Sequence, residues 1–262
     1  MSARPKIHPT AIVDPAAQIP ASCSIGPFCI VGDEVEMGEK CELLSHIVLK
    51  GPTKMGSANR VFPFTTLGLE PQDLKFTGEK TRLEIGDHNV IRESVTIHRG
   101  TPGGGGVTHI GSHCLIMAYT HIAHDCYIAD NVIMANAATL AGHVTVEEYA
   151  VVGALCPVHQ YVRIGAYSYI GGGTTITQDV LPFSLTSAKR DVHAFGMNSV
   201  GLERKGFSKE RRQRIQRAYR LLMSKKMNIG EALAKLKSEG DLGEDVKRLV
   251  KFIEGSERGI LK

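Results

Sequence analysis

With 262 residues, 42% hydrophobic and 22% charged, the chain has the make-up of folded globular material, one large domain or one plus a small one, and not of a disordered chain. No apolar run reaches the roughly 18 residues of a membrane span, and the opening Met-Ser-Ala-Arg-Pro-Lys-Ile-His has no signal-peptide apolar region, so a cytoplasmic protein without stable membrane insertion is expected. The formal charge of +4 identifies no partner by itself; where the charge sits matters more.

A six-residue beat starts almost at once. Ile7, Val13, Ile19, Ile25, Val31, Met37, Leu43, Leu49, Met55, Val61 and Leu67 are each six residues apart. Glycine often follows the aliphatic, as in Ile25-Gly26, Met37-Gly38 and Met55-Gly56, which predicts tight turns that glycine tolerates. The beat breaks at Leu69 to Arg82, where its slots hold Asp73 and Glu79, residues unsuited to a core. It resumes in register at Ile85, Ile91 and Ile97, so 69–82 is expected to be an external loop. A second break, Arg99 to His109, carries Gly103 to Gly106 and is expected to be a flexible loop; no strand–GxGxxG–helix context surrounds it.

From Ile110 to Ile176 every sixth residue is aliphatic, twelve in one register. At about 30% aliphatic content, chance gives that on the order of once in a million trials. The period fits neither a helix nor a simple strand and predicts a β-solenoid. The repeat stops where the next slot is Pro182, with a linker to about Phe195. Ser208 is placed to cap a helix from Lys209 to about Lys226; Gly230 to Ser238 and Gly243 to Ile253 read as two more, with Gly240 and Gly255 as stops.

All six cysteines, Cys23, Cys29, Cys41, Cys114, Cys126 and Cys156, lie four residues after a beat aliphatic, in a slot whose other occupants include Ala11, Ala17, Thr65, Thr120, Ala138, Ala150, Ser168 and Thr174. They read as small packing residues and not as a metal cluster, a disulfide framework or a nucleophile. No serine-nucleophile or cofactor motif is found, and no cofactor or metal is expected.

The aliphatic-Gly-x-x-small-x repeats resemble the hexapeptide-repeat acyltransferases. A narrower resemblance rests on seven motifs: His8-Pro9-Thr10-Ala11-Ile12-Val13, Ile25-Gly26-Pro27-Phe28-Cys29, Gln72-Asp73-Leu74-Lys75, Ile91 to Gly100 (IRESVTIHRG), His121-Ile122-Ala123-His124-Asp125-Cys126, Ala138-Thr139-Leu140-Ala141-Gly142-His143 and Arg204-Lys205-Gly206-Phe207. Nearly end to end, the chain is similar to the UDP-N-acetylglucosamine O-acyltransferases that open lipid A synthesis. This implies a left-handed parallel β-helix of triangular section over 1–190 and a C-terminal α-helical domain over 191–262, assembled as a homotrimer with sites between subunits. Three hexads then make a coil, residues 18 apart stack, and one coil's length is replaced by the first loop.

The resemblance implies that His124 is a general base on the glucosamine 3-hydroxyl, oriented by Asp125. Counting in eighteens puts Gly142 one coil from His124, where its N–H could serve an oxyanion, and His143 beside Asp125. Surface histidines at coil turns are the plainer reading of the same residues. His121, His159, Gln160, Asn198 and Arg204 are carried over as sugar-nucleotide contacts, along with Gln72, Asp73, Leu74 and Lys75, the last expected to reach into a neighbouring subunit's site. Gly172 matches the position that limits acyl-chain depth; a glycine there implies a long chain, unless Gly171 to Gly173 are simply turn glycines.

Arg211, Arg212, Arg214, Arg217 and Arg220 load one helix, either as a solvated face or as a dock for acidic acyl carrier protein; nucleic acid is not expected, since no aromatics interleave. Glu203 departs from the family's pattern, where a basic residue beside Arg204 is expected. The rival readings are an N-acyl or acetyl transferase of the same superfamily, of which the former typically carries an extra N-terminal domain while the repeats here start at Ile7, and a β-helix zinc carbonic anhydrase, whose metal histidines sit at a subunit interface and for which His98, His121 and His124 could be conscripted.

Overall fold

The computed structural model describes residues 5–188, 192–224 and 227–261; the expected boundary at 190/191 and the predicted helix end at Lys226 lie outside them. The chain winds as a left-handed parallel β-helix. Among the described residues its strands form three sheets, here faces I, II and III, of eleven, eight and seven strands. Successive coils pair in parallel and in strict register. Ile110, Ile128, Val146 and Ile164 stack on face III, Ile116, Met134, Val152 and Ile170 on face I, and Ile122, Leu140 and Val158 on face II.

The physical cause of the beat is therefore plain. One inward aliphatic per two-residue strand forms a column along each face, and these residues are buried. Ile7 is 41% exposed because no coil lies over the first one. The cysteines fill the small inward slot at each corner, all six buried and free. Five of their thiols reach a carbonyl on the next coil, as Cys126 Sγ does to Ala141 O at 3.2 Å. Burial pushes Cys126 up to about 12 and Cys41 and Cys114 to about 11, which keeps these thiols protonated at neutral pH.

The corner glycines work differently from the expectation. At Gly26, Gly38 and Gly56 the constraint is close approach: an added Cβ would stand 1.4 to 2.8 Å from backbone of the next coil. The left-handed residue comes two positions later and is not glycine, for example Phe28, Lys40 and Ala58 at φ near +60°. Each such residue costs about 1 kcal/mol, offset by cross-coil hydrogen bonds such as His143 N–H to His124 O at 3.1 Å.

Both insertions fall at one corner, between faces II and III. The first does not replace a coil. Face III pairs Leu83 with Thr53 and Ile85 with Met55, thirty residues apart, so twelve residues are added within one coil. The second adds seven, since Ile85 pairs with Ile110, twenty-five residues on.

Beyond Pro182 the solenoid does not stop. The strand Ser184–Ala188 adds in parallel to Tyr169–Ile170 on face I and then pairs antiparallel with Val192–Met197, a hairpin where a linker was expected. The helices are α1 Ser199–Arg204, α2 Lys209–Leu222, α3 Ile229–Ser238 and α4 Gly243–Glu254. Ser208 caps α2 by accepting from Arg211 N–H, and Asn228 builds a capping box with Glu231 on α3. Gly240 follows α3 at φ +85, whereas Gly255 ends α4 at φ −90 without entering the left-handed region. The apolar faces of the helices close a second core with Leu181 and Phe183 of the last coil.

Candidate active site on one edge of the solenoid

The edge between faces II and III gathers most of the expected chemistry. His124 and Asp125 follow the strand His121–Ile122, and Asp125 takes the left-handed corner conformation, φ +60. The Asp125 side chain is 0% exposed and that of His124 15%. Such a buried carboxylate needs partners. It has Thr101 N–H on Oδ1 at 2.7 Å, Thr101 Oγ1–H on Oδ2 at 2.5 Å and His124 Nδ1 2.7 Å from Oδ2. Its own N–H donates to the buried Thr108 Oγ1 at 2.8 Å. With Nδ1 held by the carboxylate, the free nitrogen of His124 is Nε2, the arrangement of an oriented general base.

One coil on, counting in eighteens holds. An added Cβ at Gly142 would stand 2.6 Å from His124 Cε1, so the glycine backbone passes directly against the ring. His143 Nε2 lies 3.7 Å from Asp125 Oδ2, its ring edge-on to His124 at 5.2 Å and stacked on Tyr161 at 4.4 Å. Burial lowers the His143 pKa, with the Asp125 charge opposing it. Among the described residues, His124, Asp125 and His143 are the side chains whose donor atoms converge, within 4.8 Å. Within one chain His98, His121 and His124, which the zinc reading would draw on at a subunit interface, are not gathered in this way. His98 and His121 meet edge-on at 5.1 Å, and His121 Nδ1 is engaged with Thr96 Oγ1 at 2.7 Å. His98 is buried with Nδ1 unpartnered; burial, then His121 and His124, take its pKa down to about 4, and burial lowers that of His121 too.

The first loop closes the edge from outside. Asp73, Lys75 and Phe76 line a cleft of about 240 Å³ with Thr101, His143 and Tyr161. Lys75, expected to reach into a neighbouring subunit's site, stands at the outer rim of this cleft; nearby on the loop Phe76 lies under Arg99 and Lys80 pairs with Glu34. Gln72 is exposed and Leu74 fully so. The second loop, expected to be merely flexible, holds Asp125 through Thr101, and Gly104 packs so close that a Cβ would stand 2.0 Å from Asp125 Cγ.

Of the remaining expected contacts, His159 and Gln160 are on this same edge one coil beyond Gly142, while Asn198 and Arg204 are at the helices. His159 and Gln160 are exposed at the Tyr161 corner, with Arg258 Nη1 3.0 Å from His159 Nδ1 and donating to Gln160 O at 2.6 Å. Asn198 caps α1 and donates to Tyr167 O at 3.1 Å. It lines, with Arg204, a groove of about 750 Å³ whose floor is Ile133, Val151, Tyr169 and Leu185 of face I. Glu203 pairs with Arg212, and Arg211 with Asp245, so two of the five helix arginines are internally engaged. Gly172 is exposed, and an added Cβ would approach nothing nearer than Ala154 O at 3.2 Å.

Sequence reasoning missed Thr101, Thr108, Gly104 and Tyr161. Tyr161 was reachable, being His143 plus eighteen; the others sit in or after an insertion, where the count is lost.

The comparisons agree with one another. The family model described as UDP N-acetylglucosamine O-acyltransferase, domain 2, matches residues 179–261, and the bacterial transferase hexapeptide model matches 108–142. An acyl-[acyl-carrier-protein]–UDP-N-acetylglucosamine O-acyltransferase from Thermodesulfovibrio yellowstonii is 48% identical over 98% of this chain and 99% of its own. A solved UDP-N-acetylglucosamine O-acyltransferase from Moraxella catarrhalis superposes with a TM-score of 0.94 at 41% identity, covering 98% of this chain and 99% of its own. An Arabidopsis UDP-N-acetylglucosamine acyltransferase gives 0.84 at 32%, covering 98% of each.

Proposed function

The chain belongs to the UDP-N-acetylglucosamine O-acyltransferase family and is an O-acyltransferase, and from that premise we propose that it moves a (R)-3-hydroxyacyl chain from acyl carrier protein to the 3-hydroxyl of UDP-N-acetylglucosamine, the first step of lipid A biosynthesis, with His124 as general base. The observation that carries the chemistry is the buried Asp125 at 2.7 Å from His124 Nδ1. His124 Nε2 takes the 3-hydroxyl proton as the oxygen attacks the thioester carbonyl. The imidazolium is stabilised by Asp125, and Gly142 N–H, on the coil behind the ring, serves the oxyanion. Collapse expels the carrier thiolate, which recovers the proton from His124. No covalent acyl-enzyme forms, in keeping with cysteines buried in the core.

His121, Gln72, Asp73 and Leu74 contact the sugar nucleotide, and Lys75 reaches into a neighbouring subunit's site. His159, Gln160, Asn198 and Arg204 are further sugar-nucleotide contacts, and the enzyme works as a homotrimer with sites between subunits. The open surface over Gly172 favours a long acyl chain, and the exposed Arg214, Arg217 and Arg220 suit an acidic carrier protein in the cytoplasm. The test is His124→Ala assayed for acyl transfer to UDP-N-acetylglucosamine with carriers of several chain lengths. Loss of about 10³-fold in kcat is expected, within the usual range for a general base. Near-normal turnover in a folded trimer would reject the base, and wild-type preference for a short chain would reject the reading of Gly172.

A further inference from the structure

The second insertion carries more than a connection. Thr101 is 5% exposed and spends both of its donors on one carboxylate, N–H to Asp125 Oδ1 at 2.7 Å and Oγ1–H to Oδ2 at 2.5 Å. Oδ2 is the oxygen that meets His124 Nδ1 at 2.7 Å. Two donors on two oxygens set the carboxylate plane, and a carboxylate so held cannot rotate away from the imidazole. The loop backbone closes the other side. A Cβ at Gly104 would stand 2.0 Å from Asp125 Cγ, and one at Gly100 2.8 Å from Oδ1. Thr101 itself is tied down by the loop, its carbonyl accepting from Gly106 N–H at 2.8 Å and Gly104 N–H at 3.1 Å.

We propose that Thr101 is a positioning residue for acyl transfer: with Gly104 behind it, it clamps Asp125 in the orientation that keeps His124 Nδ1 occupied and Nε2 free to accept a proton. The proposal rests on the general-base reading of His124. Thr101 touches no reacting atom; it acts through Asp125, as partners of an oriented base commonly do.

The experiment compares Thr101→Val, Thr101→Ser and Gly104→Ala with the wild type in steady-state acyl transfer, and adds Thr101→Val to Asp125→Asn. Valine keeps the shape and the N–H but removes the hydroxyl donor from a buried charged acceptor. A fall in kcat of about tenfold is expected, with both KM values within about twofold. Thr101→Ser restores kcat to within about threefold of wild type, because it returns the hydroxyl. In the Asp125→Asn background Thr101→Val costs less than about twofold, since residues acting through one group are non-additive.

A wild-type kcat in folded Thr101→Val overturns the proposal. So does a full tenfold loss on top of Asp125→Asn, which marks a merely structural loop residue. Should Thr101→Val not fold, Gly104→Ala, which displaces the carboxylate from the other side, decides by the same split between kcat and KM. If His124→Ala is active the general-base reading has failed; if His124→Ala is dead while Thr101→Val is unimpaired, only the clamp has.

Discussion

Two edges of the solenoid use the same device to different ends. On the edge from face III to face I, left-handed corner residues stack rings coil upon coil: His88 on His113 at 4.9 Å, Tyr149 on Tyr167 at 4.8 Å and Tyr167 towards Phe183. On the edge from face II to face III, His143 stacks on Tyr161 at 4.4 Å in the same conformation. Stacked histidines thus occur on both. The second edge differs in its insertions: two stretches of extra backbone fold over the corner there, and one buries a carboxylate beneath His124. A repeat places residues at regular distances; burial and orientation need material that the repeat does not contain.

This contrast can be broken or sharpened in order of effect. Beyond removal of His124, Gly142→Ala should do most. Its Cβ would stand 2.6 Å from the His124 ring, and pushing a base off line costs about 10²-fold in kcat with the fold retained. Kinetics and circular dichroism check it, and an unchanged kcat would show that the coil behind His124 is not part of the site.

Next comes pH. The folded state holds His98 at about 4, below its ordinary 6.5, because burial disfavours the charge. The unfolded chain therefore binds the proton first. This contribution to stability is complete above pH 6.5 and is lost as pH falls towards 4, by up to about 3 kcal/mol. Urea titrations across that window should show the fall in the wild type and a flatter dependence in His98→Leu; parallel curves would disprove the assignment.

The smallest effect belongs to the other edge. His88→Ala and His113→Ala, both exposed, should change stability by no more than about 0.5 kcal/mol and leave turnover alone. A loss of activity there would erase the distinction between the edges.

Much of the molecule was legible without coordinates, and the reason is local. Ile110 to Ile176 specified its own stacking because each coil meets only its neighbours, so an eighteen-residue count is a statement about space. That count alone set Gly142 behind His124 and His143 beside Asp125. It failed where coils change length: the first insertion looked like a missing coil although Ile85 pairs with Met55, and the hairpin after Pro182 looked like a linker. It also misassigned the glycines after the aliphatics, because contact with the next coil's backbone is not visible in a period.

What the sequence by itself determined is the column of aliphatics, the small slot for the cysteines and the spacing of the histidines, all consequences of nearest-neighbour packing. What only the tertiary structure decided is which side chains are held. Thr101 meets Asp125 across twenty-four residues and a loop without periodicity, and the depth that makes this contact matter comes from the loop folding back over the corner, a long-range event no spacing encodes.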